Sequence, residues 1–93
     1  MIVLNGNVAA VDGAMTLETA KALLKAGEGA ISASASVFDL AQVTAVDSSA
    51  LAIIFGWMRA AQSAGRSLSL SNPPQNLFSL ADVYGVRDLL PAA

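Results

Sequence analysis

Residues 37–40, Val37-Phe38-Asp39-Leu40, open an apolar run that gives way to a polar turn at 42–44 and resumes only after Asp47, Ser48 and Ser49. Beyond that point Leu51, Ile54, Phe55, Met58 and Ala61 recur at i, i+3, i+4, i+7 and i+10, which lines one face of a 3.6-residue helix. Ile53, Ile54 and Phe55 in succession break the alternation that a strand needs. The pattern predicts a strand over 36–40, its continuous run suited to a central, doubly covered position, feeding a helix over 49–64. Ile53 and Trp57, four apart, fall beside the main stripe, and Ala60 and Ala64 prolong that side. A neighbouring helix can cover it, or the tryptophan can anchor a partner surface.

The same reading extends to the rest of the chain. Ile2, Val3 and Leu4, then Asn5-Gly6-Asn7, then residues 8–11 make a hairpin, with Asn-Gly supplying the two positive-φ residues of a type I′ turn. Asp12-Gly13 is expected to break the second strand. Thr16 reads as the N-cap of a helix over 17–26 whose inner stripe is Leu17, Ala20, Leu23 and Leu24, with Gly27 past its end. The small-residue stretch 27–36 reads as a loop. Residues 67–71 alternate as a short strand with Leu68 and Leu70 inward, and Asn72-Pro73-Pro74 stops it. A last helix follows, with Leu77, Leu80, Ala81 and Tyr84 inward and Gly85 at its end, and Leu89 and Leu90 tuck against the sheet in a closing turn. The predicted fold class is α/β: one compact domain over 1–93, a mixed four-stranded sheet of an N-terminal hairpin plus parallel strands, packed by about four helices. No internal repeat is visible.

Composition adds a surface problem. Apolar residues make up 55% of the 93 and charged residues 13%, which leaves little charge to clothe the exterior once a core is filled. A partner interface or a homo-oligomer accounts for the surplus, although much of it is alanine. Five basic residues and a net charge of −2 give no phosphate-tracking stripe and no polybasic cluster, so neither nucleic acid nor direct membrane docking is expected. The longest apolar run, 50–55, is too short to span a bilayer, and the N-terminus lacks a basic, signal-like region; a cytoplasmic location is expected.

The chemistry inventory is short. With no histidine and no cysteine, the common zinc sites and the Ser-His and Cys-His arrangements are all missing. The carboxylates show no calcium-loop spacing, and Gly27-x-Gly29 is too little for a dinucleotide site. No enzyme activity, metal or cofactor is expected. Asp47, Ser48 and Ser49 stand where first-turn amides lack partners, and one of them should be the N-cap, worth about 1 kcal/mol. A phosphate of about −1.5 to −2 charge on a serine there would also be favoured by the helix dipole. Spacing leaves both readings open. Asp39 either caps a nearby loop amide or joins the polar patch of Asp47 and the serines.

The run Phe38-Asp39-Leu40-x-x-Val43-x-x-Val46-Asp47-Ser48-Ser49-Ala50-Leu51 resembles the signature of STAS domains, the module shared by sulfate transporters and anti-sigma-factor antagonists. Leu77-x-x-Leu80-Ala81-x-x-Tyr84-Gly85-Val86-x-x-Leu89-Leu90-Pro91 is most similar to the MlaB type, the STAS subunit of a bacterial phospholipid-transport ABC complex. The resemblance covers residues 34–91; the first third fits by pattern only. It implies a non-catalytic regulatory subunit on the cytoplasmic ATPase of such a system (an MlaF-like protein), supporting lipid asymmetry, with Ser48 at the ATPase interface. The alternative it implies is an anti-sigma-factor antagonist controlled by a serine kinase, in which Ser49 matches the phosphorylated serine; Ala50 departs from that subfamily's glycine. The candidate partner-binding residues are therefore Asp47, Ser48, Ser49, Ile53 and Trp57, with Ser49 the candidate phosphorylation site.

Overall fold

The computed structural model describes residues 1–91. Strands β1 (Ile2–Asn5), β2 (Val8–Met15), β3 (Val37–Val46) and β4 (Ser69–Ser71) lie side by side in that order, β1 antiparallel to β2 and the others parallel. Helices α1 (Ala20–Ala33), α2 (Ser49–Ser63) and α3 (Gln75–Val83) connect or follow them, and a 3-10 turn spans Arg87–Leu89. The mixed α/β sheet matches the expected fold class. Among the described residues there are three α-helices where about four were expected, the fourth being that single turn.

Burial alternates along the strands. Ala9, Val11, Phe38, Leu40 and Leu70 point into the core, whereas Val8, Ala10, Val37, Asp39, Ser69 and Ser71 do not. The sheet is thus covered on one face, and the doubly covered position expected for β3 is corrected: its apolar run supplies a core face and a partly open face. β3 also continues to Val46, because β2 pairs with it as far as Met15↔Val46 although Gln42, Thr44 and Ala45 are exposed. Asp12-Gly13 does not end β2. The ladder passes through Asp12↔Gln42 and Gly13↔Val43 with register shifts, and Gly13, at φ 86°, absorbs the irregularity. At the hairpin the central residues are Gly6 and Asn7, of which only Gly6 has positive φ, the pattern of a II′ and not a I′ turn.

The first helix departs most from its expected course. It starts after Thr19, whose hydroxyl accepts from Thr16 N (3.0 Å) and donates to Ala14 O (2.9 Å), so Thr16 lies in the preceding turn. Leu17, expected inside, is 76% exposed. The helix then passes through Gly27 and Gly29 to Ala33, and the loop expected over 27–36 is mostly helix. What overrides the glycine penalty of about 1 kcal/mol per residue is packing: Gly27, Ala30 and Ile31 are buried. A Cβ on Gly27 would lie 2.5 Å from Cδ1 and Cε2 of Trp57.

That contact explains Ile53 and Trp57. Both are fully buried, so the reading that made them a partner surface is corrected. Trp57 stacks on Phe38, ring centroids 4.3 Å apart, and its Nε1 donates to Leu23 O at 3.0 Å across the helix pair. The covering element is α1. Because α2 presents Ile53 and Trp57 inward together with Leu51, Ile54 and Ala61, its Phe55 and Met58, expected on the inner stripe, sit half-buried at its margin. Gly56 lets Leu24 lie against α2, since a Cβ there would collide with Leu24 Cδ2.

At the other end α3 buries Leu77 and Ala81. Tyr84, expected inward, is 59% exposed, as is Leu89, while Leu90 is buried. The reason is the helix terminus: Gly85 takes φ 70°, Val86 N bonds Ala81 O (2.8 Å) and Gly85 N bonds Asp82 O (3.1 Å). This Schellman closure turns Val86 back toward the helix and leaves the C-cap tyrosine outside. Pro91 O accepts from Leu70 N at 2.8 Å, so the end of the described chain covers part of the β4 edge.

Asp39 accepts from Asn72 Nδ2 and from Ala41 N, both at 3.0 Å, joining β3 to the turn after β4. The Asn72 amide, then the Ala41 amide, hold its carboxyl below the usual carboxylate value, because both bonds favour the charged form. The linkage follows. A depressed folded pKa contributes stability that is fully present above the unfolded value of about 3.9 and is lost as pH falls through the folded value. Denaturant midpoints followed from pH ~5 to ~2 should therefore fall less in Asp39→Asn than in the unsubstituted chain; equal slopes would exclude a native-state role for this carboxylate.

Candidate functional site

The β3–α2 junction places Asp47, Ser48 and Ser49 together at the start of the central helix. Ser48 occupies the N-cap position but with helical angles (φ −61°, ψ −22°) and no side-chain cap bond. The capping oxygen comes instead from Asp47, whose Oδ1 accepts from Ser49 N at 2.8 Å in an Asx-type turn. Asp47 Oδ2 accepts from Leu17 N at 3.2 Å, and Asp47 N donates to Met15 O at 3.4 Å. One carboxylate thus ties the helix start to the β2–α1 connection, where the helix dipole also favours its charge.

This division of labour frees the serines. Ser48 is exposed and Ser49 half-buried. Next to Ser48 a shallow depression of about 300 Å³ is lined by Leu51, Ala52 and Phe55 of α2 and by Tyr84 and Val86 from the end of α3. The site is a mostly apolar patch with the Ser48 hydroxyl at one end and the exposed Tyr84 ring and phenol at the other. Of the residues singled out from sequence, the fold brings Asp47, Ser48 and Ser49 together, buries Ile53 and Trp57 in the core, and leaves Asp39 bonded to Asn72 and Ala41 instead of to this patch.

Tyr84, Phe55, Ala52 and Val86 were missed. Tyr84 was legible in principle, because a glycine flanked by Tyr84 and an apolar Val86 is a Schellman signature that points the residue before the glycine outward. Phe55 had no such signal. The chemistry on offer is limited: no group of three or more metal-ligating side chains occurs among the described residues, and no helix there is long and apolar enough to cross a membrane. Neither serine has a histidine to activate it, since the chain contains none.

A family model described as "Mlab, STAS domain" matches residues 4–91. Among solved structures, the fold is similar to the anti-sigma factor antagonist SpoIIAA in its unphosphorylated form, with 15% identity and a TM-score of 0.72 over 100% of this chain and 86% of that one. It is also similar to a sulfate transporter family protein from Wolinella succinogenes, with 18% identity and a TM-score of 0.67 over 99% of this chain and 79% of that one. Comparison with curated protein sequences gave no match.

Proposed function

Since the chain belongs to the STAS domain family, we propose that it acts as a non-catalytic regulatory and assembly subunit, binding the cytoplasmic ATPase of an ABC-type phospholipid transport system. The observation that carries this reading is the pairing of an exposed, uncapped Ser48 with the apolar depression ending at Tyr84. A hydroxyl on the rim of an apolar surface suits a protein interface, where it finds a hydrogen-bond partner and the aromatic ring supplies contact area. The MlaB description of the matching family model favours an ABC ATPase as that partner. In this role the protein is cytoplasmic and reaches the membrane through its partner.

The test is co-purification with the ATPase subunit of a phospholipid-transport ABC system from the same organism. Ser48→Glu should reduce recovery of the complex at least about tenfold, because a carboxylate would be desolvated on the rim without a partner. Tyr84→Ala should weaken it as well, through lost contact area. An unsubstituted chain that fails to bind the ATPase, or a Ser48→Glu variant that binds as well, would count against the proposal.

Ser49 supports a second reading, an antagonist of an anti-sigma factor switched by a serine kinase. A phosphate on Ser49 would stand at the helix N-terminus and compete with Asp47 for the Ser49 amide, loosening the tie to Leu17. Phosphate on Ser49 after incubation with a cognate anti-sigma kinase, together with capture of that kinase, would favour this reading over the first.

A further inference from the structure

Away from the Ser48 patch, an open groove of about 970 Å³ runs between α1 and α2. Its floor is apolar, with Leu24 and Gly56 in contact range, and its walls carry Lys21 and Lys25 from α1 and Arg59 from α2. Glu28 is the one carboxylate that lines it. The placement of these cations is uneven. Of the five basic residues in the chain, Arg66 donates to Ile31 O, and Arg87 pairs with Asp82 at 2.8 Å while lying over Phe78. The other three, all on this groove, have no salt-bridge partner among the described residues. A chain of net charge −2 therefore sets three of the four basic side chains that lack a carboxylate partner around one apolar trough, the fourth, Arg66, being held on the Ile31 carbonyl.

We propose that the α1–α2 groove docks an acidic amphipathic helix of a protein partner. Two packed helices present a trough that accepts a third helix along its apolar face. Lys21 and Lys25, one turn and about 6 Å apart, match carboxylates spaced i, i+4 on the occupant, and Arg59 faces them from the other wall. The lysine stems extend the apolar floor while their heads meet the incoming charge. Three cations are fewer than the cluster of about four to eight expected for an anionic lipid surface, so a polypeptide of matching shape is favoured over a membrane. Gly56 contributes directly: without its Cβ, Leu24 lies down and the floor stays open. The inference is independent of the ATPase reading.

The probe is an end-blocked alanine–leucine peptide of about 16 residues, long enough to hold a helix in water, with glutamates paired i, i+4 beside its leucine stripe. A second peptide carries lysine at the same positions. Amide resonances of the full chain should shift along the groove with the glutamate peptide and not with the lysine peptide. Lys21→Glu/Lys25→Glu should weaken binding about tenfold, and added salt should weaken it too. Tyr84→Ala, remote from the groove, should bind the peptide unchanged, whatever it does to the ATPase. The proposal is overturned if the glutamate peptide does not bind, if both peptides bind equally, or if the shifts map to the Ser48 patch. It is equally overturned if phosphatidylglycerol vesicles bind in the peptide's place and release on the same charge reversal.

Discussion

Trp57→Ala should destabilise the protein by about 3–5 kcal/mol, the range for truncating a large buried aromatic, with a melting-temperature drop on the order of 20 °C for a domain of this size. The indole joins three parts of the fold. It is fully buried, stacks on Phe38 of β3, and donates to Leu23 O of α1, so its removal opens a cavity where sheet and both central helices meet. Against a typical total of about 5–15 kcal/mol, that loss leaves a marginal protein. Trp57→Phe should cost much less, since it keeps most of the ring and Leu23 O retains its place in the helical ladder. Urea denaturation of both variants checks the ordering. If the alanine variant loses under about 1 kcal/mol, the indole is not the joint between these elements.

Gly27→Ala should also destabilise, by about 1–3 kcal/mol, although helix propensity alone predicts a gain of about 1 kcal/mol at a mid-helix glycine. Sterics win because the new Cβ would lie 2.5 Å from two indole carbons of Trp57. That ring cannot yield without giving up its stack on Phe38 and its bond to Leu23. Gly29→Ala supplies the control on the same helix: nothing lies within 4 Å of its Cβ, so it should stabilise by about 0.5–1 kcal/mol. In a Trp57→Ala background the Gly27→Ala penalty should vanish or reverse, and that non-additivity is the decisive reading. Additive effects would mean the glycine is not there for the tryptophan.

These two residues also mark where sequence reasoning stopped. Gly27 reads as a helix terminator, because mid-helix glycine is unfavourable and residues 27–36 are rich in small residues. The burial that outweighs that penalty involves Trp57, thirty residues on, and local pattern carries no record of it. Trp57 itself, four residues from Ile53, read equally as core or as interface; α1, extended past Gly27, turned out to be its cover. Tyr84 was placed inward by its spacing from Leu77 and Ala81, whereas the Schellman closure at Gly85 ends helical geometry one residue too soon for that face to continue.

The order of elements, the helix over Ser49–Ser63, the strand before it and the gathering of Asp47, Ser48 and Ser49 at their junction could all be read from the chain, because each depends on short-range periodicity and on amides that need nearby oxygens. Which of those oxygens caps, and which hydroxyl is left for a partner, was decided in three dimensions. Asp47 reaches both Ser49 N and Leu17 N, thirty positions back, and so releases Ser48 to the surface. The same holds for the groove cations: Lys21, Lys25 and Arg59 look scattered along the chain, and only the docking of α1 on α2 through Trp57 and Gly27 sets them around one trough.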